Sequence, residues 1–317
     1  MCTAISFGEN LFGRNLDLYY SYHETVTVTS RNFEIELKNE ENLYGHYAFI
    51  GMAFVCDGYP LYYDCVNEFG VAAAGLNFPE NAYYQDKKDG MHNIASFEFL
   101  PWIMSKCKNM KEVRDIISKT NITNDSFSKT LKPTPLHFLI SYKDESITVE
   151  PSKSGLKVYE NKFGVLTNNP EFNFHLNNIN NYMRLTNKEP ENNFSQKLEL
   201  RPFGFGMGAI GLPGDFSSSS RFVKASFVKE NMPDDSSVSS FFKILESVAV
   251  PEGAVMAGEK YNKTIYSCSM DKERGIYYFK TYNNSRINAA DMRKCDIDDN
   301  KIFIFEITDK EDIKYLN

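Results

Sequence analysis

A cysteine directly follows Met1, and the residues after it read as a strand, a tight turn and a returning strand. Residues 3–7 (Thr-Ala-Ile-Ser-Phe) are strand-like, Gly8-Glu9-Asn10 forms a turn, and Leu11-Phe12 begins the return. A hairpin of this size commits the N-terminus to a sheet and brings residues 12–17 back beside it. Because the cysteine side chain is small, methionine aminopeptidase is expected to remove Met1. Cys2 then carries both a thiol and a free α-amine. The reference pKa of an α-amine is about 7.7–8.0 and that of a thiol about 8.5, so proton transfer between them is nearly balanced. The thiolate is the nucleophilic form, and a nearby amine or guanidinium favours it. Arg14 is placed to stabilise that thiolate, and Asp17 to accept hydrogen bonds from the α-amine. The plain alternative is a buried structural cysteine followed by an ordinary Arg/Asp pair, and Cys2 alone does not separate the two.

Further along, ordered segments carry a resemblance. After Met1-Cys2-Thr3 and Phe12-Gly13-Arg14-Asn15-Leu16-Asp17 come Tyr59-Pro60, Asn67-Glu68-x-Gly70 and Ala74-Gly75-Leu76-Asn77-Phe78-Pro79. Gly164-Val165-Leu166-Thr167-Asn168-x-Pro170 and Gly211-Leu212-Pro213-Gly214-Asp215-Phe216 follow, with Arg221 just beyond. In order and across nearly the whole chain, these resemble the choloylglycine hydrolases, the N-terminal-nucleophile family of bile salt hydrolases and penicillin V acylases.

Bulk properties narrow the alternatives. The 317 residues show no linker, charge block or repeat, so a single domain over 1–317 is expected. A hydrophobic share of 42% is ample for a core. A net charge of −7 argues against nucleic acid as a partner, because phosphate contacts need a basic face. No apolar run approaches the roughly 20 residues that span a bilayer, and no basic-then-apolar leader is visible, so no membrane association and a cytoplasmic location are expected. The six cysteines include no C-x-x-C pair, and the five histidines form no ligand set, so no metal or cofactor is implied. Cys56, Cys65, Cys107 and Cys268 read as small core fillers.

Period-two patterns predict strands over 24–30, 46–54, 61–66 and 71–76, the last two as a hairpin. Helices are predicted over 96–106, with Pro101 straining its interior, and over 111–119. An antiparallel meander is predicted from 136–142, 146–150, 156–159 and 164–167, then helices over 174–185, 220–231 and 238–248. Strands return at 264–270, 275–282 and 301–307, with a hairpin turn at 271–274. Such a mixture fits an α+β layered fold. The resemblance sharpens this to a four-layer αββα sandwich with two antiparallel sheets.

The resemblance also implies roles. Cys2 matches the nucleophile and its α-amine the base. Arg14 and Asp17 match the early Arg and Asp of the family, and Arg221 its late arginine. Asn168 matches the residue whose side-chain amide helps build the oxyanion hole, and Asn77 the one whose backbone N–H completes it. Taken singly, the asparagines suit turns and the charged residues suit surface pairs. Asn77, where penicillin-cleaving members often carry Tyr, leans toward a conjugated bile salt as the small-molecule substrate. Leu16, Cys56, Phe127, Leu131 and Thr134 are expected to line its pocket, and a homotetramer is expected by resemblance. Penicillin V acylase, another N-acyl amide hydrolase, a catalytically silent ligand-binding relative and a thiol redox protein stay open, although the last lacks an evident resolving cysteine.

Overall fold

The computed structural model describes residues 1–233 and 237–317. Strands β1 (Cys2–Phe7) and β2 (Leu11–Leu18) form the expected hairpin, with Cys2 opposite Leu16. Gly8 makes the turn at φ 57°, a left-handed conformation that costs glycine little. Every residue of β1 is buried, which explains why it reads as a nearly continuous run rather than an alternating one. β3 (Thr25–Thr29), β4 (Phe49–Cys56), β5 (Tyr59–Asn67) and β6 (Ala72–Asn77) continue antiparallel. A short parallel pair, β7 (His92–Ala95) and β8 (Thr120–Thr123), brackets α1 (Phe99–Lys106) and α2 (Met110–Ile117).

β9 (Leu136–Tyr142), β10 (Glu145–Ser152) and β11 (Gly155–Glu160) form a meander, followed by β12 (Val165–Leu166) and α3 (Phe172–Asn178). After a long irregular stretch come α4 (Ser218–Glu230) and α5 (Val238–Glu246). The chain closes with β13 (Val255–Ala257), β14 (Lys260–Asp271), β15 (Ile276–Thr281), β16 (Asn288–Asp291) and β17 (Ile302–Glu306).

Among the described residues, one sheet runs β12-β1-β2-β14-β15-β16, with β13 paired to β14. The other runs β11-β10-β9-β6-β5-β4-β3-β17. α4 and α5 cover the first sheet and α1 packs on the second, while β1 and β2 lie against β6 of the facing sheet. The layering is therefore αββα. Phe241, Phe242, Ile244 and Leu245 of α5 are buried against Phe12, Tyr266 and Met270. Under α1, Phe99, Trp102 and Ile103 pack on Phe138 and Ile140. Burying each such side chain contributes about 1.5–3 kcal/mol.

Four expectations are corrected. β12 leaves the meander and crosses to pair with β1 in the other sheet, Ala4 opposite Leu166. The helix expected over 174–185 stops at Asn178 and continues only as a 3-10 turn, Ile179–Tyr182; asparagines at 177, 178, 180 and 181 hold a helix poorly. Pro101 strains nothing, because α1 starts at Phe99 and leaves Pro101 in the first turn, where no intrahelical N–H is needed. Cys65, Cys107 and Cys268 are core residues, but Cys56 lies half-buried at the β4–β5 hairpin.

The space between the sheets is partly polar. Arg14 Nη1 on β2 donates across it to the carbonyls of Tyr63 (3.0 Å) and Gly75 (2.6 Å). Asp64 accepts the hydroxyls of Tyr266 (2.5 Å) and Tyr277 (2.7 Å) from the opposite sheet. Burial pushes the Asp64 carboxyl above the ordinary carboxylate range, against the pull of Arg14 and the two phenols.

Candidate active site

Three local features bring the site together. The hairpin puts Cys2 at the head of β1. The crossing of β12 lays the chain beside β1, so that residues 167–168 arrive next to Cys2. The Ser217 hydroxyl caps α4 by accepting the N–H of Ser220, and Arg221 follows in the first turn, pointing inward and 1% exposed.

Asn168 is the hub. Its Oδ1 accepts the backbone N–H of Cys2 at 2.7 Å and Arg221 Nη2 at 2.8 Å, while its Nδ2 donates to the carbonyl of Asn77 at 2.7 Å. Arg221 Nη1 also donates to the carbonyl of Cys2 and to Thr3 Oγ1 (2.6 Å), and its Nε to Phe216 O (3.0 Å). Burial lowers the Arg221 pKa, with Asp17 and Cys2 acting in the opposite direction. Four of the six expected residues, Cys2, Asn77, Asn168 and Arg221, are thus joined directly.

Asp17 and Arg14 flank this group. The Asp17 main chain brackets Met1, donating to Met1 O at 3.0 Å and accepting the terminal amine at 2.8 Å. Its side chain accepts the Thr264 hydroxyl at 2.6 Å through Oδ1, while Oδ2 is buried without a partner. Arg14 Nη2 is buried without a partner too. Burial opposes the Arg14 charge, but Cys2, Tyr266, Asp64 and Cys268 together hold it above the ordinary arginine value. Cationic and anionic groups placed this way can hold a thiolate and an ammonium side by side.

The expected pocket residues are more scattered. Leu16 is buried opposite Cys2. Phe127 packs on Tyr59 (5.5 Å) and Phe97 (5.3 Å). Cys56 Sγ lies 3.8 Å from Asp57 Oδ2. The Leu131 N–H bonds Ser128 Oγ at 3.1 Å, and the exposed Thr134 meets Tyr84 OH (2.6 Å) only through its carbonyl. The register Cys56↔Tyr59 and Asn77↔Leu136 sets Cys56, Tyr59, Asn77 and Leu136 along one edge of their sheet. Thr3, Ser218 and Thr264 touch the site without having been anticipated. A serine run such as Ser217–Ser220 suits a helix cap and could have pointed to Ser218, whereas Thr264 sits in an ordinary alternating strand and offers no such signal.

A cysteine at the head of a strand paired on both sides in an αββα sandwich, ringed by a buried amide and two buried arginines, defines an N-terminal-nucleophile amidohydrolase. Residues 2–305 match the family model described as linear amide C–N hydrolases, choloylglycine hydrolase family. A bile salt hydrolase/transferase of Lactiplantibacillus plantarum is 44% identical, covering 97% of this chain and 97% of its own. One from Clostridium perfringens is 37% identical over 100% of both chains. The crystal structure of the mutant C2A conjugated bile acid hydrolase from Clostridium perfringens has a TM-score of 0.94 at 35% identity, with both chains wholly covered. A penicillin V acylase from Agrobacterium tumefaciens, with a TM-score of 0.75 at 19% identity, shares the fold over 96% of this chain and 91% of its own. This chain belongs to the choloylglycine hydrolase family.

Proposed function

We propose that this protein hydrolyses the amide joining the acyl group of a conjugated bile salt to glycine or taurine, with Cys2 as nucleophile once Met1 is removed. The observation that carries this reading is the Asn168 amide, held between Cys2 N and the Asn77 carbonyl. The Cys2 amine takes the thiol proton, and the thiolate attacks the amide carbonyl. Asn168 Nδ2, which has a second proton to donate, and the Asn77 N–H stabilise the oxyanion; losing one such donor commonly costs about 3–4 kcal/mol. As the intermediate collapses, the C–N bond breaks and the ammonium returns its proton to the departing amine. Water then cleaves the thioester and regenerates the thiol.

The two orphaned atoms support this assignment. Asp17 Oδ2 suits the new α-ammonium and Arg14 Nη2 the thiolate. The relatives at 44% and 37% identity are named for bile salts, and Asn77 stands where tyrosine is common in penicillin-cleaving members. Phe127, Tyr59 and Phe97 offer an apolar wall suited to a steroid, with Cys56, Leu131 and Thr134 nearby along the chain and Leu16 opposite Cys2.

We further infer one catalytic domain over 1–317 that assembles as a homotetramer in the cytoplasm. Phe194, Phe203, Phe205 and Ile210 are 83%, 91%, 98% and 70% exposed in the irregular stretch before α4, an apolar surface suited to a second copy. Six free cysteines suit a reducing compartment. Among the described residues, no helix is long and apolar enough to cross a membrane.

The test is intact mass combined with release of glycine, taurine and, from penicillin V, phenoxyacetate. Loss of Met1 with bile-salt cleavage abolished in Cys2→Ala is the expected result. Cleavage of penicillin V alone would move the assignment to that substrate. A folded, inactive protein retaining Met1 would overturn it.

A further inference from the structure

We propose that His137 and His175 are positioning residues for the oxyanion hole, pinning the two consecutive carbonyls that decide where the Asn168 amide stands. The proposal rests on the function assigned above. β12 ends at Leu166, so no strand ladder holds residues 167–168. Side chains from three elements do so instead. His137 of β9 bonds Thr167 O through Nε2 at 2.9 Å. His175 of α3 bonds Asn168 O through Nε2 at 3.1 Å. Ser218 of α4 accepts the Asn168 N–H at 2.8 Å and donates to Thr167 Oγ1 at 2.9 Å.

Both rings are themselves fixed. His137 stacks on Phe78 with centroids 4.1 Å apart and 7° between planes, and His175 stacks on Phe222 at 4.9 Å and 26°. Glu150 of β10 ties the pair together. Its Oε1 lies 3.3 Å from His137 Nδ1 and accepts the N–H of Phe172, the first residue of α3, at 2.8 Å. His137 and His175 are fully buried and Glu150 is 2% exposed.

Burying three ionisable side chains is costly, and aliphatic residues fill such space without that cost. The return is geometric. Asn168 makes side-chain contacts of 2.7, 2.8 and 2.7 Å, and a displacement of about 1 Å in a reacting site can cost about 100-fold in rate. Burial, reinforced by His137, lowers the His175 pKa below the ordinary histidine value. The Asn168 and Pro170 carbonyls pull the other way, and the lowered value leaves the ring neutral near pH 7 with a single N–H. Because a carbonyl only accepts, the bond to Asn168 O requires that proton on Nε2.

The test compares His175→Phe, which keeps the stacked ring but loses the donor, with His175→Gln, which keeps a donor on a softer arm. Glycine release from glycocholate gives kcat and KM, expressed per thiol titrated with iodoacetamide in excess over Cys2→Ala background. Alkylation at sulfur uses no oxyanion hole, so it reports Cys2 separately, and the silence of the buried Cys65, Cys107 and Cys268 checks that the variant is folded. His175→Phe is expected to lose at least about ten-fold in kcat, with KM and the alkylation rate within about two-fold of the parent. His175→Gln is expected to recover to within about three-fold. If His175→Phe yields no folded protein, His137→Gln replaces it with the same expected kcat-selective loss. Unchanged kcat per thiol, equal falls in kcat and alkylation, or a His175→Gln as impaired as His175→Phe would each overturn the proposal. A parent enzyme that alkylates at Cys2 but releases no glycine would instead sink the assigned function.

Discussion

Arg14 and Gly75 sit on opposite sheets, and the guanidinium of one donates to the carbonyl of the other at 2.6 Å. With its second bond to Tyr63 O, this side chain ties the layers together on the strand next to Cys2. Arg14→Met leaves both carbonyls and the Asp64 carboxyl without their cation. Each orphaned buried acceptor costs about 1–3 kcal/mol. A clear drop in the denaturation midpoint is expected, together with loss of glycine release; an unchanged midpoint would show that the tie contributes nothing.

Thr264 serves Asp17 in the same manner. Its hydroxyl donates to Asp17 Oδ1 at 2.6 Å and accepts the N–H of Val250 at 2.8 Å. Thr264→Val fills the same volume but strands both partners, so a stability loss of about 1–3 kcal/mol is expected. Thr264→Ser keeps the hydroxyl and is expected to stay close to the parent in denaturant titration and in kcat. Equal behaviour of the two variants would refute the role given to the hydroxyl.

Gly13 is required by proximity. A Cβ there would stand 2.0 Å from the Cys268 carbonyl oxygen and 2.9 Å from the Phe241 ring. Gly13→Ala must push β2 away from β14, one residue from Arg14. A loss of about 3 kcal/mol, at the upper end of overpacking costs, is expected from chemical denaturation. A variant with parental stability would mean that the sheet yields more easily than its backbone contact suggests.

Lys272 gives the protein a pH dependence remote from Cys2. Its ammonium is buried at the end of β14, donating to Ser141 Oγ at 3.0 Å and to the carbonyl of Lys143. Burial pushes its pKa down to about 7, with Asp144 and Glu9 opposing. The unfolded chain holds this proton up to about pH 10.4, so between about pH 7 and 10 the unfolded state binds more protons. Stability from this group therefore rises with pH across that window, and the penalty is largest below pH 7. Lys272→Met is expected to flatten the alkaline rise and to be more stable than the parent at pH 6. Parallel stability–pH curves for variant and parent would exclude this account.

Much of the fold was legible. The N-terminal hairpin, the strands of the eight-stranded sheet and the two late helices follow from period-two and period-3.6 patterns near their expected bounds. β12 was misassigned because Val165-Leu166 is too short to carry a period, and nothing local says which sheet it will join. The three-residue β13 and four-residue β16 escaped for the same reason. α3 shortened because asparagines weaken its second half. At the site, Cys2, Arg14, Asp17, Asn77, Asn168 and Arg221 could be named because they stand in recognisable segments. His137, His175 and Thr264 could not, since a lone histidine or threonine in an apolar segment looks like any satisfied core residue.

The sequence alone determined that a cysteine opens the chain on a strand and that an arginine and an aspartate return beside it on the next. Adjacency along a hairpin is a local property, set by turn residues and alternation. Only the tertiary structure decided that residues 77, 168 and 221 converge on Cys2, and that two histidines hold Asn168 from behind. Those meetings depend on β12 crossing between sheets and on α4 docking over β1. Such contacts are selected by the burial of whole layers at once, and no local pattern of residues encodes them.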